Sequence, residues 1–365
     1  RLMSATEWRE RYFDCFGESH LSYCLKKSAP TLKAPDGSPA PQDGDAEDTS
    51  PKVAMVYNYL QLGKDKNWVR KVATDLNLSL SKTKIDFLLM WTEDGENRLF
   101  DDLTREAINE TKRDVVWSKE YPEMGMYFDF FITEAEYRQM ASDSYHDFLL
   151  IGCDTSSASG KDACTIVIRS IKTGKVVGVG RYSRAYLDDV GTILVDLLET
   201  IPNSMLVIER NYAHQMIDNL LTILPAKGMD PFKRIFNSIY QNPIKYQKEF
   251  QESQRVKPQH RTRDFYLRIK EHFGFVTNPT TREEFYGYIE EAVGVTGYGL
   301  HYDKLCDELI DLRLKGGRID HDNNKHDDLV VAWLLTYWFI KKGESRSLYG
   351  ISPGIALTDT VNLLR

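Results

Sequence analysis

The sequence lacks any apolar run long enough to cross a membrane. Spanning a bilayer takes roughly 18 apolar residues or more, and the longest run, Leu329 to Ile340, is shorter and contains Thr336. No membrane partner is expected. Cysteine is scarce: Cys15, Cys24, Cys153, Cys164 and Cys306 are all there is, with no Cys-x-x-Cys or Cys/His zinc spacing. An odd count, with two in apparent core strands, points to reduced thiols acting as small buried hydrophobes in an intracellular setting. Positive charge is not in excess, since 47 Lys and Arg face 54 Asp and Glu for a net −7. That argues against a generic nucleic-acid binder, although clustered metal-binding carboxylates can dominate such a sum. No Gly-x-x-x-x-Gly-Lys-Ser/Thr loop occurs, so ATP hydrolysis is not expected. The start, Arg1-Leu2-Met3, shows no secretory signal pattern. Without an initiator Met, the chain is expected to be a piece of a longer one.

What is present divides the chain into three. Residues 1–147 read as a helical and connecting region. Within it, 29–52 holds five prolines and the acidic run Asp43 to Asp48, the composition of a disordered loop. Val53, Val56, Tyr57 and Leu60, then Trp68, Val69, Val72 and Leu76, recur at helical spacing. Residues 93–145 are polar with aromatic islands, Tyr127 to Phe131 reading as one strand. From Phe148 to about 341 the texture is that of an α/β domain, and 342–365 reads as a C-terminal tail. Phe148 to Asp154 suits a strand buried on both faces. Strands at Thr165–Ile168 and Val176–Tyr182 follow, then a helix over 188–200, a strand Met205–Glu209 and a helix over 211–224. Further helices are expected over 283–292, 302–314 and 326–341. Three strands, helix, strand, helix and a last helix is the order of an RNase H-type mixed sheet flanked by helices.

Four acids border these apolar segments. Asp154 ends the first strand, Glu209 ends the fourth, and Asp327 and Asp328 open the last helix. Each alone has an ordinary reading, as a strand end or as an acid favoured at a helix start. Together they suit phosphodiester hydrolysis. Two divalent cations can clamp the attacking and leaving oxygens, and Mg²⁺ or Mn²⁺ takes oxygen ligands, mostly carboxylates. If the first and fourth strands are parallel neighbours, about 4.8 Å apart, Asp154 and Glu209 meet at one edge.

The stretches Ile151-Gly152-Cys153-Asp154-Thr155-Ser156, Val207-Ile208-Glu209-Arg210-Asn211 and His326-Asp327-Asp328-Leu329-Val330-Val331-Ala332 resemble the nuclease domain of the large terminase subunits of tailed bacteriophages and herpesviruses. Asp320-His321, ahead of the last stretch, also fits. The resemblance covers about residues 148–341. It implies an RNase H/resolvase-like fold and a two-metal endonuclease that cuts double-stranded viral DNA during genome packaging. It also implies that Asp154, Glu209, Asp328 and Asp327 bind two Mg²⁺ or Mn²⁺ ions, Asp328 being favoured of the last pair. The implied partners are DNA, a packaging ATPase domain, a portal and a small terminase subunit. The implied location is the host cell interior, the nucleus for a herpesvirus.

Arg255, Lys257, Arg261, Arg263, Arg268 and Lys270 fall within sixteen residues and read as candidate phosphate contacts. Arg282, at an expected helix start, joins them. Their ordinary reading is a solvated basic face. Two other functions fit the same residues: a stand-alone RNase H-like nuclease or junction resolvase, and a non-catalytic module that docks DNA or a portal ring.

Overall fold

The computed structural model describes residues 64–75, 98–142, 145–155, 163–296, 299–315, 318–321 and 326–352. Two compact units emerge, Arg1–Gly95 and Glu96–Arg365. In the first unit, the described helix is α1, Lys66–Asp75. Asp65 caps it by accepting from the Trp68 amide at 2.8 Å, and Val69 is buried. The acidic segment 29–52 and the rest of the apolar periodicity over 53–92 lie outside the described residues.

The second unit is built on a six-stranded sheet of order β1-β2-β5-β4-β3-β6. Its strands are β1 Trp117–Tyr121, β2 Met126–Phe130, β3 Leu149–Asp154, β4 Cys164–Ser170, β5 Val176–Tyr182 and β6 Ser204–Ile208. All neighbours are antiparallel except β3 and β6, which are parallel. The β5-β4-β3-β6 core is the RNase H-type arrangement expected from the order of apolar segments. β3, β4 and β6 are buried at every residue, which is why they read as continuous apolar runs rather than alternating ones.

The longer helices described in this unit are α2 Asp102–Glu110, α3 Glu134–Gln139, α4 Leu187–Thr200, α5 His214–Ala226, α6 Gln247–Arg255, α7 Arg263–Ile269, α8 Pro279–Tyr286, α9 Ile289–Thr296, α10 Asp303–Ile310 and α11 Asp328–Lys342. From Asp328 to Ile340 every residue of α11 is buried, as a helix apolar on all sides must be. α11 lies across β3 and β4. A Cβ on Gly152 would stand 1.9 Å from the Ala332 carbonyl oxygen, so only glycine admits the helix backbone this close.

Several expectations are corrected. The compact unit starts at Glu96, not at Phe148, because β2 pairs with β5. Phe100, Ile108, Phe128 and Phe130 belong to the same core. The boundary at 147/148 thus falls inside one unit, and the aromatic island at 127–131 is half of a β1–β2 hairpin. The helix expected over 302–314 ends at Ile310. Leu312-Arg313-Leu314-Lys315 alternates with period two and forms β7, which pairs with β8, Arg318–His321. The tail is not free at its start either. Tyr349 and Ile351 are buried, and the Tyr349 hydroxyl donates to the Asn237 carbonyl at 3.2 Å.

Candidate metal centre

The parallel register sets Cys153 opposite Ile208, which brings Asp154 and Glu209 to the same edge of the sheet. Glu209 is pinned from both sides. Its amide donates to the Cys153 carbonyl at 2.8 Å, while Phe275 N–H meets the Ile208 carbonyl at 2.7 Å and Arg210 N–H meets Phe275 at 2.8 Å. The Thr155 hydroxyl donates to the Glu209 carbonyl at 3.0 Å. Asp154 and Glu209 stand within side-chain hydrogen-bond reach.

The third acid arrives through α11. Gly152 and Asp154 are two residues apart on one strand and so share a face. Because α11 sits on Gly152 at Ala332, Asp328, one turn earlier, reaches the Asp154 end. Thr165 is the antiparallel partner of Asp154, and its hydroxyl donates to the Asp328 carbonyl at 2.8 Å. The Asp328 Oδ2 accepts from Ala163 N–H at 2.9 Å.

The electrostatics follow from the burial. Asp154 is 7 % exposed. Its carboxyl is held well above the usual carboxylate range, first by burial, then by the hydrogen bond to Glu209, and then by the charges of Glu209 and Asp328. Like charges this close disfavour full ionisation. A divalent cation beside Asp154 would offset that penalty, and carboxylates are the hard oxygen donors that Mg²⁺ or Mn²⁺ prefers.

Asp327 faces elsewhere, since successive helical residues point about 100° apart. Its Oδ2 accepts from Arg282 at 2.6 Å and from the Tyr286 hydroxyl, both on α8. Tyr286 is buried, and its hydroxyl is pushed well above its ordinary pKa by burial, then by the charge of Asp327 and, further down, of Asp154. Potential ligand atoms of Asp320, His321 and Asp327 lie within 4.8 Å of one another. β8 thus brings Asp320 and His321 beside Asp327.

No protein-family model matches the chain, and no curated protein matches it. Among solved structures it is similar to the large terminase nuclease from thermophilic phage G20c. Identity is 12 % and TM-score 0.37, over 64 % of this chain and 96 % of that one. The same nuclease with bound magnesium aligns at 12 % identity and TM-score 0.39, over 67 % and 98 %. The large terminase nuclease domain of Thermus phage P74-26 aligns at 15 % identity and TM-score 0.30, over 65 % and 94 %. Likenesses this weak carry no weight for the site, which stands on the residues of this chain.

The basic residues singled out from the sequence separate into three kinds. Arg255, Lys257 and Arg263 are exposed. Arg268 pairs with Glu252 and Lys270 with Asp218 at the surface, while Arg282 is committed to Asp327. Arg261 is corrected outright as a phosphate contact. It is buried, with its guanidinium over the Phe232 ring, 2.6 Å from Asp230 and bonded to the carbonyls of Val256 and Ser253. Sequence reasoning missed Tyr286 and Glu308. Both come from elements with no motif of their own. Among the described residues no helix is long and apolar enough to cross a membrane.

Proposed function

We propose that this chain is a metal-dependent endonuclease of the large-terminase type, cutting double-stranded viral DNA during genome packaging. What supports the reading is the placement of Asp154 and Glu209 at the ends of the parallel pair β3 and β6, with Asp328 held beside them by Thr165 and Ala163. Asp154, Glu209 and Asp328 would hold two Mg²⁺ or Mn²⁺ ions, with Asp327 beside them. Bound there, divalent cations supply Lewis-acid stabilisation of the charge that builds on phosphate during in-line attack by water.

The protein supplies the frame. Burial of Asp154 limits bulk water at its own carboxyl. Thr165 and Ala163 fix Asp328, and Cys153 and Phe275 fix Glu209. Arg282 and Tyr286 hold Asp327, and Arg282 brings positive charge to the rim, where the scissile phosphate would lie. Arg255, Lys257, Arg263, Arg268 and Lys270 provide phosphate contacts without base reading, so sequence preference is low. Proposed partners are a packaging ATPase domain, a portal and a small terminase subunit, inside the host cell.

Plasmid nicking with Mn²⁺ tests the reading, with duplex, four-way junction and RNA–DNA hybrid substrates run side by side. The wild type should nick plasmid, and Asp154→Ala and Glu209→Ala should not. Preference for junctions or hybrids would favour a resolvase or hybrid nuclease instead. Absent cleavage would leave a docking module, and cleavage without metal would overturn the metal-dependent reading.

A further inference from the structure

The first turn of α11 carries Asp328, yet it has no cap of its own. Four amides at a helix start lack intrahelical partners. Asp327, in the N-cap position, makes no side-chain cap bond, because its carboxylate is turned to Arg282 and Tyr286. Asp328 directs its carboxylate to Ala163. Leu329 and Val330 are wholly buried, so water cannot satisfy their N–H groups. Glu308, from the second turn of α10, does. Its Oε2 accepts from Leu329 N at 2.8 Å and from Val330 N at 3.3 Å. Glu308 is itself buried, and its other oxygen lies 4.0 Å from Arg181 Nε.

We infer that Glu308 is a positioning residue of the metal centre, capping α11 from outside so that the first-turn amides do not take the Asp328 carboxylate as their acceptor. The inference rests on the metal-centre reading above. The physical basis is competition. Aspartate at a helix start is a favoured acceptor for first-turn amides. Without Glu308, the unpaired Leu329 and Val330 amides would draw in the nearest carboxylates, and these belong to Asp327 and Asp328. Supplying the acceptor from a second helix satisfies the backbone, sets the rotation of the first turn and leaves both aspartates to other partners. Nothing in the local sequence around Asp328 announces this role, because the partner lies about twenty residues away on α10.

The test uses the full chain as wild type, Glu308→Ala and Glu308→Gln. Mn²⁺ affinity is read from the paramagnetic resonance signal of the free ion. Amide exchange across 327–332 is read by mass spectrometry on metal-free protein. Glu308→Ala should bind Mn²⁺ about 10–100-fold more weakly, the usual cost of losing a partner that orients ligands. Its Leu329 and Val330 amides should exchange faster. Glu308→Gln keeps a carbonyl acceptor and should lie closer to wild type than to Glu308→Ala in both readings. Wild-type affinity and protection in Glu308→Ala would overturn the inference, as would a glutamine variant as weak as the alanine one. If Glu308→Ala does not fold, Glu308→Gln decides alone: retained Mn²⁺ affinity supports the capping role and its loss overturns it. Should the wild type bind no Mn²⁺, the nuclease reading itself fails. Wild-type binding with an indifferent Glu308→Ala sinks only the role given to Glu308.

Discussion

Replacing Gly152 by alanine is the sharpest mechanical test of how α11 sets the centre. The added Cβ would stand 1.9 Å from the Ala332 carbonyl oxygen and 2.9 Å from Thr336 Cγ2, whereas ordinary contact begins near 3.4 Å. The closest atom is backbone, so no rotamer change relieves the clash, and α11 must retreat by about 1.5 Å. Overpacking of this kind costs about 1–3 kcal/mol, and a backbone clash belongs at the upper end. In a domain of this size ~3 kcal/mol lowers the melting temperature by roughly 6–12 °C. Asp328 lies one turn from Ala332 and moves with it, and a displacement of about 1 Å at a reacting centre can cost on the order of 100-fold in rate. Gly191→Ala, in α4, is the control, since its nearest neighbour, Met216 Cγ, is an ordinary 3.5 Å away. It should melt at or above the wild-type temperature, because alanine is favoured over glycine in a helix. Circular dichroism melts and Mn²⁺-dependent nicking read both effects. A Gly152→Ala protein with wild-type melting and nicking would refute the claim that this contact sets the centre.

Three further outcomes follow from charge and burial. The Glu308 carboxyl is raised to about 8, first by burial and then by the charge of Asp328. A raised carboxyl stabilises the fold below its unfolded value, and that contribution is lost as pH climbs through the folded one. At about 1.36 kcal/mol per unit the limit is on the order of 5 kcal/mol. Metal-free Glu308→Gln should therefore gain stability relative to wild type between pH 5 and 8, and a constant difference over that range would contradict this. Half-buried His272 and buried His301 have lowered values and act in the opposite direction, but they are common to both proteins. Arg261→Ala, by stranding Asp230, should cost about 3–5 kcal/mol in melting experiments and leave the salt dependence of DNA binding unchanged. Arg255→Ala should do the reverse, lowering the slope of log affinity against log salt by about one.

The parts of the fold legible in the sequence were those where one physical signal dominated. β3 is an apolar run ending in Asp154 and β6 one followed at once by Glu209, and their parallel pairing explains both features at once. β1 was illegible because Trp117-Ser118-Lys119-Glu120-Tyr121 mixes apolar and charged residues along a half-exposed edge. The acids were visible by type and position, whereas the division of labour between Asp327 and Asp328 depends on α8. Arg282 and Tyr286 reach Asp327 from more than forty residues away. Arg261 looked like its exposed neighbours because local composition does not reveal burial. Its structural role follows from Phe232 and Asp230, about thirty residues earlier. Glu308 carried no signal at all, since the amides it satisfies belong to another helix.

Diffraction from crystals soaked in Mn²⁺, with data collected for the anomalous signal of manganese, tests the central claim most directly. The account predicts anomalous density among the carboxylates of Asp154, Glu209 and Asp328, lost in Asp154→Asn. Density confined to Asp320, His321 and Asp327, or an Asp154→Asn crystal with undiminished density, would contradict it.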